Sequence, residues 1–149
     1  MEYFAHSQKE FVYKYVVMMS DTDQFKHMSF ANYLKLMFLA TDALFVSCHK
    51  ENFLTQYRVK LINSKMQFKR QTVTGNKILI KINACGIIAP RFSLLYTFII
   101  EGSGDLVNLA RQSYEVVRYI DKHQTAFPEN MEAVLNPIQV EENYLLYKY

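Results

Sequence analysis

From Ser29 to about Lys50 the chain runs without a glycine or proline, and most positions are apolar. Phe30, Tyr33, Leu34, Met37, Phe38, Thr41, Leu44, Phe45 and Cys48 recur at helical spacing. Leu36, Leu39, Ala40, Ala43 and Val46 fall off that stripe, so the predicted helix is apolar almost all round. Only Asn32, Lys35, Asp42 and His49 align as a narrow polar seam. A helix of about 20 residues is a rod about 30 Å long. With so little polar surface it has to be covered on most sides, and the remaining chain must do the covering.

Alternating segments supply the cover. "EFVYKYVVM" (10–18) puts Phe11, Tyr13, Tyr15 and Val17 on one face, which predicts a strand. "SKMQFKR" separates Met66 and Phe68 from Lys65, Gln67 and Lys69. "KILIKINA" sets Ile78, Ile80 and Ile82 against Lys77, Lys81 and Asn83, and "RFSLLYTFIIE" aligns Phe92, Leu94, Tyr96, Phe98 and Ile100. A last strand is expected over about 106–120. Gly75-Asn76 and Gly102-Ser103-Gly104 read as hairpin turns between antiparallel neighbours, and "ACGIIAP" as a longer connection. Strand, long buried helix and four antiparallel strands make an α+β arrangement, with one sheet curved around one helix. In the tail, "FPENMEAVL" predicts a short helix with Pro128 in its first turn, and "NPIQVEENYLLYKY" is expected on the outside or on a neighbouring subunit.

At 149 residues, half of them apolar, with eleven Tyr and eleven Phe, the chain is expected to form one globular domain. A net charge of +3, with acids interleaved among the bases, argues against a nucleic-acid surface. One basic cluster, Arg58, Lys60, Lys65, Lys69 and Arg70, reads as a solvated strand face or as a site for a phosphate-bearing small ligand. Cys48 and Cys85 lie in apolar surroundings and are expected as free buried thiols. No zinc spacing, signal core or membrane-length apolar run is present, so the expectation is a cytoplasmic protein without a metal.

Just ahead of the apolar helix stands "SDTDQFKHMSFANYL" (20–34). By residue type alone, Asp21 and Asp23 read as loop or capping residues. The helix start at Ser29–Phe30 offers unpaired N–H groups and the positive end of a dipole, a place where a nearby carboxylate stays ionised. Cys48-His49 is no dyad, because adjacent helical residues diverge.

The order of elements is similar to the hotdog fold, and the opening stretch resembles its 4-hydroxybenzoyl-CoA thioesterase-like branch. That pattern is a strand, Asp-x-Asp-x-x-Gly, a spacer and an aromatic-rich helix opening. "SDTDQFKHMSFANYLKLM" matches at Asp21, Asp23, Phe30, Asn32, Tyr33 and Leu34. "MQFKRQTVTGNKILIKI" looks like the family's strand, Gly-Asp turn and strand, with Asn76 replacing the Asp. The similarity covers roughly residues 8–122 of the single domain 1–149, leaving 123–149 as an extension. Thioesterases of enediyne polyketide pathways look like relatives too, although they typically lack the second Asp.

The resemblance implies hydrolysis of an acyl-CoA or acyl-carrier-protein thioester. Asp23 would act as nucleophile or general base, with the Phe30 N–H as oxyanion donor. Asp21 would brace the loop. Lys26 stands where the family has Gly, and would narrow the site, pair with Asp23 or attract an anionic acyl group. His27 would orient a water or contact the acyl group, a structural role being the plainer reading. Asn32 and Tyr33 on the first helical turns, and Lys69, Arg70 and Arg91 by their charge, complete the candidate substrate-binding set. No cofactor is implied beyond the coenzyme A or phosphopantetheine of the substrate. Family members pair sheets edge to edge and build each site between subunits, so a homodimer or homotetramer is expected. The alternatives are a non-catalytic acyl-thioester-binding module and a hotdog enoyl hydratase or dehydratase. The latter fits poorly, since its Asp and His stand five apart and here Asp21 and His27 are six apart.

Overall fold

The computed structural model describes residues 9–48, 57–118, 127 and 131–143. Five strands form one antiparallel sheet: β1 (Phe11–Val16), β2 (Tyr57–Phe68), β3 (Lys77–Ile88), β4 (Arg91–Ile100) and β5 (Leu106–Arg118). Their order is β1-β3-β4-β5-β2. β1 and β2 therefore stand at opposite edges, and the segment between them, which carries helix α1 (Phe30–Cys48), crosses the sheet. A short helix α2 (Met131–Leu135) and a 3-10 turn (Asn136–Ile138) follow. This is the hotdog architecture expected from the sequence.

Alternation explains the core. Ile78, Ile80 and Ile82 of β3 and Phe92, Leu94, Tyr96 and Phe98 of β4 are buried beneath Tyr33, Leu36, Met37, Ala40, Leu44 and Phe45 of α1. Full burial of such a side chain contributes about 1.5–3 kcal/mol. Met131, Val134, Leu135 and Ile138 close the same core from the tail. Thus 131–138 packs on its own chain rather than on the outside, and Val140 donates its N–H to Ala84 O at 2.8 Å. Pro128, the residues from 144 on, His49 and the Cys48 side chain lie outside the described residues. Cys85 is a buried free thiol, and burial pushes it up to about 11.

Three sequence expectations need correction. β2 and β3 are not hairpin partners: β2 pairs with β5, and residues 69–76 cross to the other side of the sheet. Gly75 and Asn76 instead bond Val17 at the end of β1, with Gly75 at φ +92°. "ACGIIAP" is not a long connection. β3 continues through it to Ile88, with a bulge at Gly86 (φ +56°) and a tight turn at Ala89-Pro90. The helix is also less enclosed than its composition demands. The sheet and α2 cover one side, but Ala31, Lys35, Phe38, Asp42 and Val46 remain exposed along the other, Phe38 at 69% and Val46 at 62%. At Phe38 and Asp42 that open flank shares a cavity with Arg58, Val59 and Leu61 of β2, whose side chains are mostly exposed. No helix among the described residues is long and apolar enough to cross a membrane.

Candidate functional site

The two acids ahead of α1 have different surroundings. Asp21 is buried, and its Oδ2 accepts from the Tyr15 hydroxyl at 2.7 Å and the Met18 N–H at 2.8 Å. Its backbone oxygen accepts from Ser29 N and Asn32 Nδ2. Asp21 thereby ties the loop to both β1 and the start of α1. Burial first, then the bond to Asp21 and its charge, pushes the Tyr15 hydroxyl up to about 12.

Asp23 is exposed. Its Oδ1 accepts from Phe25 N at 2.8 Å and more weakly from His27 N at 3.4 Å, the local bonding that Asp favours in turns. Among the described residues Oδ2 has no hydrogen-bond partner, so one oxygen orients the carboxylate and the other is open to chemistry. The turn closes with Lys26 N on Asp23 O and Asp23 N on His27 O. Lys26 itself sits at φ +65°. The left-handed backbone that glycine favours is therefore present although the glycine is not.

Asp23 lines a cavity of about 560 Å³ with Phe25, His27, Met28, Ser29, Phe30, Tyr33, Phe68, Lys69, Arg70 and Gln71. Phe30 and Ala31 open the helix, where N–H groups have no acceptor one turn back. The carboxylate, the helix start and two cations thus meet at one opening. Arg70 is held by Asp105 at 2.7 Å, while Lys69 is exposed. Tyr33 is buried, bonds Thr72 Oγ1 at 2.9 Å and stacks edge-on to Phe68 with centroids 4.9 Å apart. Asn32 does not line the cavity; its Nδ2 braces Ser29 Oγ and Asp21 O. The Lys26 side chain is exposed and off the lining.

Arg91 is the residue the structure does not bring in. It pairs with buried Glu115 at 2.8 Å, seven residues along β4 from Phe98, or roughly 24 Å at strand rise. Charge alone had nominated it. Sequence reasoning also passed over Phe25, Phe68 and Gln71; an exposed phenylalanine in a polar loop was the available signal for Phe25.

A second cavity of about 490 Å³ opens farther along α1, between Leu34, Phe38, Thr41 and Phe45 and the residues Arg58, Val59, Leu61, Gln112 and Tyr114. A buried hydrogen-bond chain, Thr41–Tyr96–Tyr114–Gln112, runs at its floor. Among the described residues no group of three or more His, Cys, Asp or Glu could hold a metal ion.

The thioesterase-like superfamily pattern matches residues 17–136, from the end of β1 through α2. The chain belongs to the thioesterase-like superfamily. Solved structures share the fold at low identity. A 1,4-dihydroxy-2-naphthoyl-CoA thioesterase from Synechocystis is 18% identical with a TM-score of 0.79, covering 86% of this chain and 96% of that one. The dynemicin thioesterase is 13% identical with a TM-score of 0.82, covering 89% and 99%. A Staphylococcus aureus protein in complex with CoA is 17% identical with a TM-score of 0.78, covering 87% and 84%. A search of the curated proteins found no significant match. In this member of the superfamily, the loop from Asp21 to Ser29 falls inside the matched region.

Proposed function

We propose that this thioesterase-like protein hydrolyses an acyl thioester borne on coenzyme A or an acyl carrier protein, with Asp23 as nucleophile or general base. Thioester hydrolysis as the general class follows from membership of the superfamily. The observation that carries the finer reading is the shared cavity of Asp23 and the first residues of α1. The N–H of Phe30 would donate to the carbonyl oxygen as it becomes negative; a preorganised donor of this kind is worth about 3 kcal/mol. Either Asp23 takes a proton from a water whose oxygen adds to the carbonyl carbon, or Asp23 itself adds and water then hydrolyses the resulting anhydride. In both routes the C–S bond breaks, the thiolate leaves and takes up the proton released from water, and the free acid and Asp23 carboxylate are left. Lys69 and Arg70 stand where phosphates of the carrier would meet positive charge. A Synechocystis neighbour is named for a CoA thioester and another neighbour holds CoA, which favours CoA as the first carrier to test.

The assembly we infer is a homodimer or higher homo-oligomer. Among the described residues β2 is an edge strand of 12 residues with no outer neighbour, Leu61 and Ile62 are about half exposed, and Phe38 of α1 is exposed across a shared cavity from Arg58, Val59 and Leu61. A long edge strand with an unpaired backbone row is ordinarily paired or covered.

A panel of acyl-CoAs with trapping of the freed thiol tests the reading. Wild-type protein is expected to release thiol from at least one member, with kcat reduced about 10²–10⁴-fold in Asp23→Asn. Binding without turnover, unchanged by that substitution, would favour an acyl-binding module instead.

A further inference from the structure

Asn108 on β5 has a side chain with nothing to bond. It is fully buried, and among the described residues neither carboxamide atom has a hydrogen-bond partner. Native structures keep few such groups, and each calls for an explanation.

Its position supplies one. Asn108 stands opposite Phe68 of β2 and Phe98 of β4. Directly opposed residues share a sheet face, and Phe98 faces the core, so Asn108 faces α1. A register shift between Phe98 and Ile99 leaves Val107 as an extra residue, and such bulges re-aim side chains next to sites. Tyr33 packs against both cross-strand neighbours of Asn108, its ring 4.9 Å from that of Phe68 and 5.7 Å from that of Phe98. The Tyr33 hydroxyl is engaged by Thr72. Tyr33 and Phe68 both line the cavity that holds Asp23. The unpaired carboxamide is therefore on the sheet face that Tyr33 and Phe68 cover, next to a residue that lines the cavity. Phe68, opposite Asn108, is 42% exposed, so an approach to Asn108 past its ring would require moving a partly exposed side chain.

We propose that Asn108 is a specificity-determining residue that binds a hydroxyl on the acyl group of the substrate. The inference rests on the thioesterase reading and deepens it. The carboxamide offers one acceptor and one donor group, both open. A hydroxyl accepts and donates, so it satisfies both, whereas an alkyl hydrogen satisfies neither. A site built around a buried polar group rejects the analogue that leaves the group unpaired.

The test measures binding of non-hydrolysable CoA ketone analogues in matched pairs, alkyl and aryl, with one hydroxyl placed at successive positions. Wild-type protein is expected to bind at least one hydroxylated analogue about tenfold or more tightly than its parent. In Asn108→Leu that ratio falls to near one, and the melting temperature stays equal or rises, because an unpaired buried amide has been removed. No hydroxyl preference in the wild type overturns the proposal whether or not the variant folds. A preference that survives in Asn108→Leu, or a variant that folds with a melting temperature lower by several degrees, overturns it too. Hydroxyl-selective binding without thiol release from the matching thioesters would uphold Asn108 and sink the hydrolase reading. Thiol release with no hydroxyl preference would do the reverse.

Discussion

Asp21 accepts from Tyr15 and Met18 in a buried setting, whereas among the described residues Asp23 accepts only from the amides of its own turn and keeps one oxygen open. The consequences of removing them should separate. Asp21→Ala strands two donors and is expected to cost about 1–3 kcal/mol by urea unfolding. Asp23→Ala should cost under about 1 kcal/mol while removing turnover. Burial of Tyr15, and after it the bond to Asp21, also has a pH signature. Tyr15 is raised from 10.0 to about 12 in the folded protein, so the stability it lends is full below 10 and is lost as pH rises towards 12. Tyr15→Phe should therefore flatten the fall in urea midpoint over that window. At Lys26 the φ of +65° strains a side-chain-bearing residue, and Lys26→Gly should gain about 1 kcal/mol with turnover retained, because the side chain is off the cavity lining. The pairing of an exposed loop acid with a helix opening was legible in "SDTDQFKHMSFANYL" because both halves are local patterns. Asn108 was not: its isolation depends on a bulge at Val107 and on rings contributed by α1, β2 and β4.

At the scale of elements, the strands whose inward residues alternate cleanly were readable, as with Ile78, Ile80 and Ile82. Pairing was harder to read. The Gly75-Asn76 turn is a strong local signal, yet the chain before it runs along β5 and the chain after it along β1 and β4. Partner choice is set by which edge remains after α1 has crossed the sheet, and nothing within eight residues of the turn encodes that. The helix itself divides by face. Met37→Ala, at a fully buried site, is expected to cost 2–5 kcal/mol in chemical unfolding. Phe38→Ala, one position on and 69% exposed, should leave the unfolding of an isolated chain within about 0.5 kcal/mol of wild type.

For the whole molecule, the exposed side of α1 at Phe38 and Asp42 and β2, an edge strand among the described residues, line the same cavity. Composition demanded a helix enclosed on most sides, and the described residues of one chain enclose it on only part of its circumference. A second copy pairing at β2 would restore the missing cover. Sedimentation is accordingly expected to give at least twice the 17.6 kDa of one chain, and Ile62→Lys at the edge should shift it towards the monomer. A monomer that retains full turnover would separate assembly from activity. The account as a whole turns on where the thioester carbonyl sits relative to the loop and the start of α1. The direct measurement is a crystal structure of Asp23→Asn with an acyl-CoA bound. The account predicts the carbonyl carbon within about 3.5 Å of the residue-23 side chain and its oxygen about 3 Å from the Phe30 amide nitrogen. A carbonyl bound away from both, in the second cavity or on the outer face of the sheet, would contradict it.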